Sequence, residues 1–415
     1  MFKNYLMTAY KVYTRRKLFT AINLLCITLT LMVLLVVTAL LQNTFFPSGV
    51  EGKSDRFLQV TTLVSLGKGD NTRYTPLGYK VIDKYLKPMQ SAQLVSAVTS
   101  PRTVSVYQDD RVTELMLRRA DAEYWQILDF SVLDGRVPSK DDVAQGRFVA
   151  VLNRSTAQKL FPGLRAVGQT LNVAGQRFEI IGVVEDTMQL NSFADIWAPI
   201  STDPSSEYRN QMWGDFTALL LAKSAADLPR MQAEVAQIAT RVQFDDPNEW
   251  NVWNQAFMWA DSKLDFFARG LMGNEQVPES GAGVLLIIIA VLMLLFMLLP
   301  ALNLVNLNTG RIMERSAEIG VRKAFGASSG QLVLQFVIEN VLLCLVGGLL
   351  GLAFAKGALL WLEGSGLIPY LKVELNFPVF FCGLVIASVF GLLSGLIPAW
   401  KMSRLHPVLA LKGAA

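Results

Sequence analysis

Few residues in this chain have the types and spacing that chemistry needs. Gly52-Lys53-Ser54 matches the end of a phosphate-binding loop, G-x-x-x-x-G-K-[ST], in which backbone amides cradle phosphate and the lysine reaches the terminal phosphates. Pro47 stands where the first glycine belongs, so the triplet only imitates a nucleotide site. The three cysteines, Cys26, Cys344 and Cys382, fall in long apolar stretches, and the single histidine, His406, lies near the C-terminus. Residues 42–282 therefore hold neither thiol nor imidazole, which removes disulfides, thiolate or histidine metal sites and most hydrolase mechanisms from that block. Carboxylates alone could serve a glycosidase, but no spacing pairs them. The chain reads as non-enzymatic, with no catalytic residue, no metal and no cofactor bound on its own account.

One stretch does carry directional chemistry. RIMERSAEIGVRKAFGASSGQ, residues 311–331, sets Glu314 and Glu318, then Glu318 and Arg322, at i,i+4 spacing. It ends at Gly326, a natural helix C-cap, with Ser328 or Ser329 placed to open the next helix. Ile312, Ile319, Ala324 and Phe325 supply an apolar surface. The pattern predicts a short, rigid amphipathic helix offering paired charges to a partner; a solvated linker would need neither cap. Further on, Gly347 and Gly351, with Gly348 beside them, give a G-x-x-x-G spacing that permits close helix packing, within the chain or across a pair of chains. Glu339 is an acid inside an apolar stretch, read as facing a helix bundle in preference to a proton relay. Between 245 and 282 aromatics crowd together; Trp250, Trp253 and Phe257 would share one helical face, either as a core stripe or membrane-interface belt, or as a docking face for a partner or cargo.

The elements that must position these residues follow from hydropathy. With 52% hydrophobic residues over 415 positions, the chain is too apolar for an ordinary soluble protein. A membrane-crossing helix needs roughly 20 apolar residues, and four stretches qualify: 18–41, 283–307, 332–355 and 379–400. The first is too long for the apolar region of a signal peptide and reads as a retained anchor. Lys3, Lys11, Arg15, Arg16 and Lys17 precede it without an acid, the 308–331 segment is net basic, and Lys401, Arg404 and Lys412 lie in the tail. Cationic flanks stay on the cytoplasmic side. The expected layout is thus a cytoplasmic segment 1–17, one span, a large external domain 42–282, three further spans with an external loop at 356–378, and a cytoplasmic tail 401–415. The external block leans acidic, and no nucleic-acid partner is implied.

Within that block the patterns predict a mixed α+β or split βαβ arrangement. FVAVLN (148–153) is a strand candidate followed by a helix opening at Ser155 and stopped at Pro162-Gly163. TLNVAGQRFEIIGVV (170–184) reads as a hairpin turning at Ala174-Gly175-Gln176. TALLLA (217–222) is a buried strand, and Asp227 caps a helix with Leu228, Met231, Val235, Ile238 and Val242 on one face. Asp109-Asp110 marks a second hairpin, Tyr79 to Tyr85 a short helix, and the ESGAG run before Val284 a hinge.

The sequence Arg315-Ser-Ala-Glu318-Ile319-Gly320-Val-Arg322-Lys323-Ala324-Phe-Gly326-Ala327-Ser328 resembles the R-x-x-E-I-G-x-R-K-A-x-G-A-S signature of MacB/FtsX-type permeases of ABC transporters, the mechanotransmission or type VII class. The resemblance continues through Gln335, Phe336, Glu339 and Gly347 to Gly351, and returns at Ile397-Pro398-Ala399 and His406-Pro407-Val408. In the external block, WQILDFSVLDGR and VAVLNRSTAQKLFPG are similar to the MacB-like periplasmic core domain. The resemblance implies a bacterial inner-membrane permease with cytoplasmic termini and a periplasmic domain. Its coupling helix would meet an ATPase through Glu314, Arg315, Glu318, Ile319, Arg322, Lys323 and Phe325. Only residues 1–17 precede the first span, so the ATPase, with its ATP and magnesium, is expected on a separate subunit. A second permease, identical or homologous, and a periplasmic adaptor complete the implied partners. The implied function is efflux of a peptide, lipid, antibiotic or similar cargo; alternatively, the same stroke regulates a cell-wall hydrolase and moves no cargo.

Overall fold

The computed structural model describes residues 13–14, 17–45, 47, 49–67, 71–108, 111–187, 189–244, 253–274, 277–314, 328–367 and scattered positions in 377–396. It divides into two units, one built on residues 43–283 and one on the apolar segments before and after it.

In the first unit ten strands form one sheet, of which six close on themselves. Strand β5 (Arg102–Gln108) and β6 (Arg111–Ala120) make the hairpin expected at Asp109-Asp110, pairing Gln108 with Arg111. Next, β8 (Val149–Asn153), β9 (Thr170–Val173), β10 (Gln176–Val184) and β11 (Ile196–Pro199) complete the ring through β6–β11, β11–β8, β8–β10, β10–β9 and β9–β5 pairings. The β8–β10 and β6–β11 pairs are parallel, as a mixed reading requires. Alternate side chains of all six strands meet in one apolar cluster, Leu117, Leu152, Phe178 and Ile196 among them, with Leu160 of the helix Arg154–Leu160 at its edge. That helix is capped by Asn153, whose side chain accepts from the Thr156 amide at 2.7 Å, two residues before Ser155. The β9–β10 hairpin turns on Ala174 and Gly175 alone, with φ of 49° and 83°, the left-handed pair that a two-residue turn demands.

Beyond β6 the sheet opens into β4 (Ala92–Thr99), β12 (Phe216–Ala222) and β1 (Phe57–Val60), all antiparallel, and the tenth strand, β7 (Val132–Gly135), pairs antiparallel with β10. Below them lie the short helix Tyr79–Val81 with its π-turn Ile82–Leu86, and the helix Leu228–Ala239, which buries Met231 and Val235. A small sheet shares that core: β2 (Leu63–Gly67) between β3 (Thr72–Thr75) and β13 (Trp253–Met258). Its third strand corrects the reading of Trp250, Trp253 and Phe257 as one helical face. Residues 253–258 pair with β2 as a strand, where side chains alternate with a period of two and aromatics fit the pleated surface. Trp250 lies outside the described residues.

In the second unit, α1 (Lys17–Phe45), α2 (Ala282–Glu314) and α3 (Ser329–Ser365) are long and apolar. Two stretches, Thr20–Gln42 and Val337–Ser365, are long and apolar enough to cross a membrane, and Ala282–Leu298 is a shorter apolar helix, among the described residues. Two helices run past the expected span ends. Helix α2 does not stop at 307 but runs unbroken to Glu314, because nothing between 301 and 314 is a proline or a capping motif. Helix α3 likewise does not yield to a loop at 356; it continues to Ser365 and ends at Gly366, whose φ of 66° makes it a left-handed C-cap. Ser328 opens α3 with a capping box to Gln331. The span expected at 379–400 lies mostly outside the described residues.

Candidate functional site

A domain inserted between two helices must hold its own entry and exit together. Here the entry is Phe45 to Glu51 and the exit is α4 (Lys263–Met272) with the described residues 273–274 and 277–281 after it. Lys263 occupies the first position of α4, where a cation opposes the helix dipole. It is buried nonetheless, in an ion pair with Glu51, also buried. Glu51 is fixed in turn: its carboxylate accepts from the Asn191 amide at 2.7 Å, and its own N–H donates to Gln189 Oε1 at 2.9 Å. Asn191 O also accepts from Arg118 Nη1 at 2.6 Å and from the Tyr124 hydroxyl at 2.8 Å. Burial pushes the Tyr124 phenol up to about 12, so it stays protonated and donates. Phe45 packs edge-on against Phe267 at 5.1 Å, worth about 0.5–1.5 kcal/mol beyond the area buried.

A second device grips the exit. Arg269, in the last turn of α4, donates Nε–H and Nη2–H to the two Asp261 oxygens at 2.8 and 2.9 Å. Its remaining donors reach the carbonyls of Asn274 at 2.7 Å, Val277 at 2.6 Å and Pro278 at 3.1 Å. A guanidinium has five N–H donors, and all are used. Asp261 is anchored through its backbone, which exchanges two bonds with Gln59 of β1 at 2.8 and 2.9 Å. Burial raises its carboxyl above the ordinary range, against the pull of Arg269. Ser262 and Asp265 form a capping box on α4, and Asp265 also accepts from Ser280 at 2.5 Å. The ESGAG run is thus held at Ser280, and Gly281 turns with φ of 81° just before α2. Together these contacts form a collar tying both ends of the domain to its sheet.

Beside Arg269 lies a cavity of about 430 Å³ between the small sheet and α4, lined by Tyr74, Thr75, Trp259, Phe266, Phe267 and Gly270 among others.

Comparison with known proteins sets these features in context. Residues 20–238, more than half of the chain, match the model of the MacB-like periplasmic core domain, and residues 290–407 match the FtsX-like permease C-terminal. The chain belongs to the MacB-like family of ABC transporter permeases. An uncharacterized ABC transporter permease, YknZ of Bacillus subtilis, is 26% identical over 332 residues, covering 79% of this chain and 77% of its own length. The macrolide export ATP-binding/permease protein MacB of Chromobacterium violaceum is 26% identical over 291 residues, which is 70% of this chain and 42% of that protein. This chain therefore spans less than half the length of that MacB relative. The solved extracellular domain of YknZ aligns with 48% of this chain and 98% of itself, at 17% identity and a TM-score of 0.37. Neither matched segment is an ATPase domain, and the two family-model matches leave 239–289 uncovered, the stretch that holds Asp261, Lys263 and Arg269.

Of the residues singled out in this MacB-like chain, Glu314 is the last described residue of α2, while Arg315, Glu318, Ile319, Arg322, Lys323 and Phe325 lie outside the described residues. Trp253 is half-buried against the domain core and meets Trp213 at 6.4 Å, and Phe257 stacks on Trp259. Gly347 and Gly351 lie where α3 meets α1: an added Cβ at Gly347 would stand 2.7 Å from Ile27 Cγ2, and one at Gly351 3.1 Å from Leu31 Cβ. Gly348 faces Leu384 and Leu31. The Thr28 hydroxyl donates to Gly347 O at 3.2 Å. Glu339 is buried and accepts from Gln335 Nε2 at 3.0 Å. Lys53, the lysine of the imitation phosphate loop, pairs with Asp129 at 2.6 Å and leads into a strand, not a helix. The collar residues were not picked out from the sequence; the only hint was a charge between aromatics, as in Asp261, Lys263 and Arg269 around Phe266-Phe267.

Proposed function

We propose that this chain is the permease subunit of an ABC export complex, energised by ATP and magnesium on a separate ATPase subunit. The reading is supported most by one observation: a single chain matches both the MacB-like periplasmic core domain and the FtsX-like permease C-terminal. Four membrane spans in the bacterial inner membrane, with cytoplasmic termini, would present 311–331 to the ATPase. Glu314, Arg315, Glu318, Ile319, Arg322, Lys323 and Phe325 then form the coupling contact, and a second permease and a periplasmic adaptor complete the assembly. ATPase closure pushes the coupling helix, α2 carries the displacement, and the collar passes it to the external domain because the exit is bonded to the sheet at Asp261. Cargo, a peptide, lipid or antibiotic, is moved by that domain.

Glu318→Lys tests the coupling contact. A substitution on a solvated helix face changes stability by no more than about 0.5 kcal/mol, whereas loss of a hydrogen-bonded charge contact in a partner groove costs on the order of 2–5 kcal/mol. Co-purification of the ATPase and export-dependent resistance should both fall; wild-type levels of both would remove residue 318 from the interface. Subunits that co-elute with the wild-type complex separate export from signalling: an adaptor supports export, while a cell-wall hydrolase would replace it with the regulatory role.

A further inference from the structure

We infer that the cavity over α4 is a binding site for an uncharged, apolar small molecule. Its volume of about 430 Å³ falls within the range of roughly 300–1,000 Å³ typical of small-molecule sites. The walls include the rings of Tyr74, Trp259 and Phe266, and Leu271, 70% exposed, adds apolar surface.

The charge of the ligand follows from the two ionic residues in the lining. Asp261 and Arg269 both border the cavity, yet each neutralises the other, and every N–H of Arg269 is already committed. An anion would find no donor there, and a cation would have to compete with a two-point guanidinium fork. The rest of the lining carries no charge, and the Thr75 hydroxyl and the Trp259 indole N–H are buried out of a ligand's reach. An uncharged, apolar body suits such walls.

Gly270 gives the second argument. It sits inside α4, where glycine costs about 1 kcal/mol relative to alanine, and its φ is not one that glycine alone adopts. No atom lies within 4 Å of an added Cβ, so no packing contact excludes a side chain. The missing side chain leaves the cavity open down to the helix backbone. A ligand seated there rests against the Arg269 side of the clamp. The assignment stands on the cavity and does not depend on the export reading.

The test uses the full chain in lipid nanodiscs and an uncharged photoreactive probe, trifluoromethyl-phenyl-diazirine, with adducts mapped by mass spectrometry. Labelling of the peptide spanning 257–272 should saturate with probe concentration and be displaced by excess neutral naphthol, while labelling of apolar peptides from α1 and α3 should rise linearly and resist displacement. Gly270→Phe, which fills the void, should lower the saturable labelling at least about tenfold, and Gly270→Ala should keep it. If Gly270→Phe fails to fold, saturation and displacement in the wild type decide alone. Linear, undisplaced labelling at 257–272, or equal labelling in a folded Gly270→Phe, would overturn the site.

Discussion

Removing the guanidinium from the exit clamp, as Arg269→Met, should loosen the segment before α2 more than it loosens the domain. Methionine keeps an unbranched apolar stem of similar reach, so the loss is mainly that of five hydrogen bonds. Three of those go to the carbonyls of Asn274, Val277 and Pro278. At about 1 kcal/mol net for each, local opening of the exit becomes easier by about 3 kcal/mol, or roughly 150-fold in the opening equilibrium. The other two bonds leave Asp261 buried and unpaired, which costs about 3–5 kcal/mol of global stability when one partner of a buried pair is removed. Protonation softens this, since burial has already raised the Asp261 carboxyl. The two effects separate in the double variant Asp261→Leu/Arg269→Met, which should regain thermal stability, because an apolar pair replaces the ions, yet keep the loosened exit. Arg269→Lys should be intermediate, as three donors on a point charge cannot reproduce the fork. The assay is hydrogen exchange by mass spectrometry over 277–283 in nanodiscs, alongside the melting temperature. If exchange there stays at wild-type rates while melting falls, Arg269 is only a core ion pair and the clamp argument is wrong.

Lys263→Met should destabilise the chain by about 3–5 kcal/mol by stranding Glu51, and Glu51→Gln in the same chain should recover most of the lost melting temperature; no recovery would mean the pair does not act as a unit. Gly351→Leu should cost about 1–3 kcal/mol from overpacking against Leu31 and the Thr28 carbonyl, with partial rescue by Leu31→Ala. Gly357→Leu, where an added Cβ meets nothing within 4 Å, should leave melting in detergent unchanged, and equal losses at the two glycines would refute the α1–α3 contact. Asp121 is buried, accepts from Ser96 Oγ at 2.6 Å and the Ala97 amide at 2.8 Å, and is pushed up to about 6 chiefly by desolvation. A carboxyl whose folded pKa lies above its unfolded value of 3.8 stabilises fully below the lower value and loses that contribution as pH rises through the higher one. Melting measured across that interval should therefore decline with pH in the wild type and lose this component in Asp121→Asn; identical profiles would show that the hydrogen bonds keep Asp121 ionised throughout.

What the sequence determined is what depends on short range. Apolar runs without charge fix where a helix can enter lipid, so the stretches around Thr20–Gln42 and Val337–Ser365 were legible from composition alone, as were the hairpins at 109–110 and 174–175, whose turn residues lie next to each other. The absence of cysteine and histidine between 42 and 282 bounded the chemistry in the same way. The local signal failed where a neighbour in space overrode it. Trp253 and Phe257 have a helical spacing, yet β2 offers them backbone partners and a pleated face, so tertiary pairing made them a strand. Helices α2 and α3 passed their expected ends because helix propagation continues until a breaker or cap stops it, and the first effective one after Ala355 is Gly366. The closed ring of six strands and the collar were not legible at all. Glu51 and Lys263, or Gln59 and Asp261, become neighbours only when the entry and exit of the inserted domain are brought to one place. A buried ion pair is tolerable only with its partner present, so Lys263 at a helix N-terminus and Arg269 among aromatics look like poor choices in one dimension and become the fastening of the domain in three.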